Sequence, residues 1–172
     1  MSRAFVKEDD AGQPPIIPPR AALPAGVTNY VTPQGLEQLR QELSGLEAAR
    51  AKTEANHEDE ANRTRELTVM NGRISALADR IASAKVVDVR QQPNDEVRFG
   101  ATVTLRTQSG GKSGAHRTFT IVGVDEASIA EGKIAFVAPI AKAVVGRAVG
   151  EAVTLRLGRS EEVVEVVSIK YL

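Results

Sequence analysis

The 172-residue sequence contains no cysteine, no tryptophan and only two histidines, His57 and His116. Without thiols, disulfides, thiolate zinc sites and cysteine nucleophiles are excluded. Two histidines leave little for a histidine-based metal site or a catalytic triad. Aromatic residues make up 3% of the chain, too few to suggest a stacking platform for single-stranded bases. Neither sign of charge prevails, because 22 basic and 22 acidic side chains cancel. General affinity for duplex nucleic acid would need an excess of Lys and Arg. Long apolar runs are missing too: residues 134–140 are far too few to span a bilayer. The first ten residues lack the apolar core of a signal peptide. With 42% hydrophobic and 26% charged residues, the expectation is a cytoplasmic globular protein of one large or two small domains.

Proline and glycine are concentrated rather than scarce. Pro14, Pro15, Pro18, Pro19 and Pro24, with Gly12 and Gly26, fall within residues 1–29. Proline fixes φ and removes a donor, so this stretch reads as an extended, partly disordered leader. Pro14-Pro15-Ile16-Ile17-Pro18-Pro19 could be a recognition segment, but a plain linker is the favoured reading.

Residues 30–90 have a different texture. Thr32 can cap a helix and Pro33 suits its first turn. Leu36, Leu39, Leu43 and Leu46 recur at the spacing of a packed helix pair. Leu67, Met70, Ile74, Leu77, Ile81 and Ala84 repeat that rhythm. Residues 48–65 between them are polar, without proline or glycine, so two helices must meet in a tight reversal. In an antiparallel pair, facing residues have numbers with a constant sum. Pairing Leu36 with Ala84, Leu39 with Ile81, Leu43 with Leu77 and Leu46 with Ile74 gives 120 each time. Arg50 then faces Met70, Thr53 faces Leu67, and the reversal falls near Glu60. The predicted tip is Glu58-Asp59-Glu60-Ala61, within a residue or two, at the end of arms about 33 Å long. The distal seam is polar and is expected to be the less stable end.

The turn-rich residues 91–95 mark a boundary, and residues 95–172 read as a second domain. Runs rich in Val, Ile and Thr at 101–106, 117–123, 133–137, 152–156 and 162–169 predict strands with one buried face. Residues 109–114 predict a flexible hairpin loop, and 139–146 a short helix with proline at its start and glycine past its end. The fold class is therefore α+β: an antiparallel helical hairpin followed by a small sheet domain with one short helix.

Several familiar signatures lead nowhere. Gly110-Gly111-Lys112-Ser113 lacks the spacing of a phosphate-binding loop and sits between strands. His116 has no nameable carboxylate partner, and Asp125-Glu126 reads as a solvated strand connection. The acidic tip is more informative. Glu54, Glu58, Asp59 and Glu60 crowd one end of the hairpin, and carboxylates are hard oxygen ligands suited to Mg²⁺. Solvated loop charges explain the cluster equally well. Alone, such a tip binds magnesium weakly; delivered into another enzyme's active site, it could complete a site there and orient a water for phosphodiester hydrolysis.

Residues 30–172 resemble the GreA/GreB family of bacterial transcript-cleavage factors. The resemblance is carried by Tyr30-Val-Thr-Pro-Gln-Gly-Leu-Glu-Gln-Leu-Arg-Gln-Glu-Leu43 and by residues 72–88 of the second arm. It continues in Val97-Arg-Phe-Gly-Ala-Thr-Val103, Ile121-Val-Gly-Val-Asp-Glu126, residues 138–147 and Ile169-Lys-Tyr-Leu172. The opening Met1-Ser-Arg-Ala-Phe-Val-Lys-Glu8 is similar to the GreB-type branch. This resemblance implies a coiled-coil hairpin and an FKBP-like sheet domain that docks on RNA polymerase while the hairpin enters the secondary channel. Prolyl isomerase activity is not expected, since the sheet domain has only Phe99, Phe119, Phe136 and Tyr171 to line an aromatic pocket.

The resemblance also implies a monomeric accessory factor rather than an enzyme. It would have no cofactor of its own, would share a Mg²⁺ with the polymerase through Glu58, Asp59 and Glu60, and would meet nucleic acid, DNA included, only within the transcription complex. Docking is expected near Pro139, Ile140, Lys142 and Arg147. Family members that stimulate cleavage carry tip acids three residues apart, followed by an asparagine. Here His57 stands three residues before Glu60, and Ala61 three after Glu58. Each arm is also about one heptad shorter than usual, a loss of roughly 10 Å of reach. Shortened-hairpin relatives resembling the regulator of nucleoside diphosphate kinase bind polymerase without cleaving. Channel occupancy is the favoured reading, with active cleavage or a module for another protein as alternatives. Arg50, Lys52, Arg63, Arg65, Arg73 and Arg80 could touch RNA or channel walls, or pair with Glu47, Glu66 and Asp79 on a solvated face.

Overall fold

A computed structural model describes residues 14–172, so the GreB-like opening octapeptide lies outside the described residues. The α+β architecture is the expected one. A strand β1 (Asn29–Val31) leads into α1 (Pro33–Ala55), which reverses into α2 (Glu60–Ala82). A second short strand, β2 (Ala84–Val86), closes the hairpin by pairing parallel to β1. The sheet domain then runs β3 (Ala101–Ser109), β4 (His116–Val122), β5 (Lys133–Ala135), α3 (Pro139–Val144), β6 (Ala152–Leu157) and β7 (Ser160–Tyr171). Its strand order is β5-β4-β3-β7-β6, with only the β4–β5 pair parallel.

Local chemistry explains the hairpin's limits. The Thr32 hydroxyl accepts from the Gly35 amide at 2.9 Å while Pro33 fills the first turn, where its missing donor costs nothing. Asp59 caps α2 by accepting from the Asn62 amide at 3.0 Å, and Asn56 accepts from the Glu58 amide. These two turn-forming side chains set the reversal at residues 56–59, slightly before the point indicated by the seam. At the other end, Asn29 donates to the Arg80 carbonyl at 2.9 Å and to the Ser83 hydroxyl, covering the C-terminal turn of α2. Ala84 therefore lies in β2 and not on the helical seam, so the outermost expected pair, Leu36 with Ala84, is not a helix–helix pair. Three-residue strands are too short to show an alternating pattern, and so β1 and β2 left no sequence signal.

The sheet follows the alternation seen in sequence. Ala101, Val103, Leu105 and Thr107 turn inward. On the opposite face Thr102 and Thr104 bond across to Thr120 and Thr118 at 2.8 and 2.9 Å. Val97, Phe119, Ile121, Val153, Leu155, Val164 and Val166 complete the core, with Ala141 and Val144 of α3 against it. The 110–115 loop is less free than expected: Gly110, with φ +79°, passes so close to the Glu161 and Glu162 backbone that no side chain fits. The Glu162 carboxylate beside Gly111 makes this loop unsuited to phosphate. His116 is an exposed strand residue. Among the described residues no helix is long and apolar enough to cross a membrane.

Two expectations fail at the junction of the two parts. Asp125 and Glu126 are not a solvated connection: their side chains are only 8% and 4% exposed. Asp125 accepts from Arg20 and Arg80, and Glu126 accepts from the Thr32 hydroxyl at 2.6 Å with Lys133 at 3.9 Å. Burying carboxylates requires such partners, and the hairpin and leader supply them. From Pro14 onward the leader is likewise not a loose linker, because Arg20 crosses to both α1 and the β4–β5 connection.

Candidate functional site

The tip of the hairpin carries the three carboxylates singled out from the sequence, and local folding gives each a different environment. Asp59 is occupied as the α2 cap. Glu60, 82% exposed in the first turn of α2, accepts from Arg63 at 2.8 Å. Glu58 is exposed in the turn; its backbone amide donates to Asn56, and its carboxylate has no hydrogen-bond partner among the described residues. Consecutive positions around a turn fan side chains apart, whereas positions three or four apart on a helix share a face. Among the described residues no three His, Cys, Asp or Glu side chains gather as a metal site. All three tip carboxylates are exposed; Asp59 caps α2 through one oxygen and Glu60 pairs with Arg63.

Arg63 is the organising residue of this tip. One guanidinium nitrogen lies 2.5 Å from Nδ1 of His57 and donates to the Glu54 carbonyl, while the other holds Glu60. It thereby ties the last turn of α1 to the first turn of α2. Glu58 and Asp59 share the adjoining cleft of about 380 Å³ with Lys52, Asn56, Asn62 and Glu66. The i,i+3 spacing of Glu60 and Arg63 was a readable signal for the ion pair, but the approach of His57 across the turn was not. Elsewhere Arg50 pairs with Glu54, Arg80 with Asp125, and Glu66 accepts from Asn62. None of the expected partners Glu47, Glu66 and Asp79 holds an arm cation among the described residues.

The second candidate surface is α3 and the segment after it. Pro139 opens the helix and is exposed, as are Lys142 and Arg147, whereas Ile140 is half-buried against the sheet core. Gly146, at φ +86°, turns the chain so that the Arg147 carbonyl accepts from Val97. Val145, Val149 and Leu157 stay about half exposed around this region, apolar residues with no distinguishing pattern in the sequence. Beside α3, Phe99 and Phe136 meet Tyr30 of β1 with ring centroids 5.6 to 6.0 Å apart. With Val27, Ile121, Val137, Lys142 and Val145 they line an apolar cleft of about 380 Å³. The sheet domain's few aromatics thus form a lined cleft after all, because the hairpin contributes a third ring.

The base of the hairpin is tied to the sheet domain by ion pairs. Arg20 donates to both Glu42 oxygens at 2.8 and 3.1 Å and to Asp125 at 3.1 and 3.3 Å. Its hydrogen bond holds the Glu42 carboxyl below its ordinary range against the opposing effect of desolvation, while Glu42 raises the Arg20 guanidinium further.

The family model "Transcription elongation factor, GreA/GreB, C-term" matches residues 92–171. Transcription elongation factor GreA of Brucella canis is 30% identical over 155 residues, covering 83% of this chain and 97% of that protein; GreA of Brucella melitensis biotype 1 matches identically. Among solved structures, the GreA factor homolog 1 (Gfh1) of Thermus thermophilus has 21% identity and a TM-score of 0.39, covering 84% of this chain and 99% of that one. A GreA/GreB factor from Nitrosomonas europaea has 20% identity and a TM-score of 0.41, again covering 84% and 99%. On the extent of the GreA match and the family model over its sheet domain, this chain belongs to the GreA/GreB family of transcription elongation factors.

Proposed function

We propose that this chain binds RNA polymerase, inserts its hairpin into the secondary channel and acts there as an occupant without stimulating transcript cleavage. The observation that carries the reading is the state of the tip carboxylates: Asp59 caps a helix through one oxygen, Glu60 pairs with Arg63, and among the described residues no three ligating side chains gather there. Mg²⁺ in a phosphoryl-transfer site takes one or two protein carboxylates at near-ideal octahedral geometry. A Mg²⁺ shared with the polymerase would meet carboxylates already engaged as a helix cap and in an ion pair, beside the Arg63 cation. Docking falls to α3 and its surroundings, where Pro139, Lys142 and Arg147 combine an apolar edge with two cations next to the half-exposed Val145 and Val149. The chain works as a monomer and meets nucleic acid only inside the transcription complex.

The test is competition on a backtracked elongation complex with end-labelled RNA. Added before a known cleavage factor, this protein should slow that factor's shortening of the transcript in a dose-dependent way. Lys142→Glu with Arg147→Glu should relieve the inhibition by weakening docking. Unimpeded cleavage at saturating protein would sink the secondary-channel reading.

A further inference from the structure

Residues 14–24 form a strap across the base of the hairpin. The chain runs along α2, where the Ile17 side chain sits so close to Gly72 that a Cβ there would collide with it. A glycine inside a helix lowers its stability relative to alanine, and no turn or positive φ calls for one at this position. Accommodation of Ile17 gives Gly72 a reason. Pro18 and Pro19 then hold the chain extended through the crook between Leu46, Arg73 and Ala76 on the helices and Val124 and Ala127 on the β4–β5 connection. At the end of this run Arg20 grips Glu42 of α1 and Asp125 of the connection at once. Arg80 of α2 reaches the other Asp125 oxygen at 3.0 Å and also donates to the Ala21 carbonyl at 2.6 Å. A turn at Gly26, φ +75°, with the Val27 amide bonded to the Pro24 carbonyl, returns the chain towards β1.

We infer that this leader is an orientation strap: it fixes the angle between the hairpin and the sheet domain by joining α1, α2 and the β4–β5 connection through Arg20, Ala21 and Ile17. The strap is detachable. With Arg20 withdrawn, Asp125 keeps Arg80, Glu126 keeps Thr32, and the β1–β2 pair still closes the hairpin. Release therefore loosens the joint without unfolding either part. The inference concerns the isolated chain and stands whether or not the hairpin enters a polymerase channel.

The absence of cysteine makes the test direct. Glu47→Cys on α1 and Arg159→Cys in the β6–β7 turn, carrying spin labels, report the interdomain distance in the full chain by pulsed electron resonance. The parent should give one narrow distance peak. Arg20→Ala should broaden and shift that peak while the circular dichroism spectrum stays unchanged, and Arg20→Lys should fall between them, since an ammonium has three donors and no planar fork to reproduce the four bonds of Arg20. Glu42→Gln, which cuts the link to α1 and leaves Arg80–Asp125 intact, should broaden the peak in the same direction. An unchanged distribution in Arg20→Ala and Glu42→Gln would overturn the strap.

Discussion

The base and the tip of the hairpin use the same side chains for opposite ends. At the base, Arg20, Arg80 and Asp125 are between 8% and 19% exposed, and their bonds join residues far apart in sequence. At the tip, Arg63, Glu60, Asp59 and His57 bond only to neighbours within nine residues, and Glu60 is almost fully solvated. On the apolar seam Leu39 and Leu77 are 3% and 0% exposed, while Leu67 and Met70 nearer the tip are half-buried. Burial is what turns an ion pair into a structural joint, because removing one partner then strands a desolvated charge. An exposed pair orders a turn and contributes little more. The molecule thus carries a base joined by partly buried ion pairs and a tip organised by local bonds.

The largest predicted effect breaks the base. Asp125→Ala leaves the buried Arg80 without its carboxylate and Arg20 with Glu42 alone, and should cost about 3 kcal/mol in urea unfolding. Leu77→Ala should cost about the same through the cavity it leaves. Leu67→Ala on the half-buried distal seam should cost roughly 1 kcal/mol, which sharpens the contrast within one helix. At the tip, Asp59→Ala removes the α2 cap and should cost about 1 kcal/mol, read as faster hydrogen exchange in the first turn of α2 with the base unaffected. Arg63→Ala should change global stability by less than about 0.5 kcal/mol.

Acid offers a further way to separate the regions. The Glu42 carboxyl titrates below its unfolded value, chiefly because Arg20 donates to it. In the intervening range the unfolded chain binds more protons, so this contribution is complete above the ordinary glutamate range and is lost as pH falls through the folded value. Glu162 behaves alike within the sheet, held low first by the Thr107 hydroxyl and then by Arg117. Acid unfolding curves of Glu42→Gln and Glu162→Gln should each be flatter than the parent's in that range.

Much of this was legible in the sequence because periodicity reports burial. The seam leucines, the Thr32–Pro33 start and the Val/Thr alternation of β3 identified the hairpin and the sheet without any tertiary information. The candidate site was harder to read. The acidic tip was visible as composition, but whether Asp59 caps a helix or faces solvent depends on where the reversal falls, and the seam placed that slightly late. Asp125 and Glu126 looked like a polar loop because their partners, Arg20, Arg80 and Thr32, are distant in sequence. The leader's role was hidden for the same reason: proline content signals an extended chain but not what it lies against.

The most direct measurement of the tip's role is RNA shortening in a stalled, backtracked elongation complex with Mg²⁺ and this protein as the only added factor. With Asp59 capping α2 and Glu60 paired with Arg63, no shortening above the polymerase's intrinsic rate is expected, and Glu58→Ala should change nothing. Shortened transcripts that disappear with Glu58→Ala would contradict the account and make the tip an active part of the hydrolytic site.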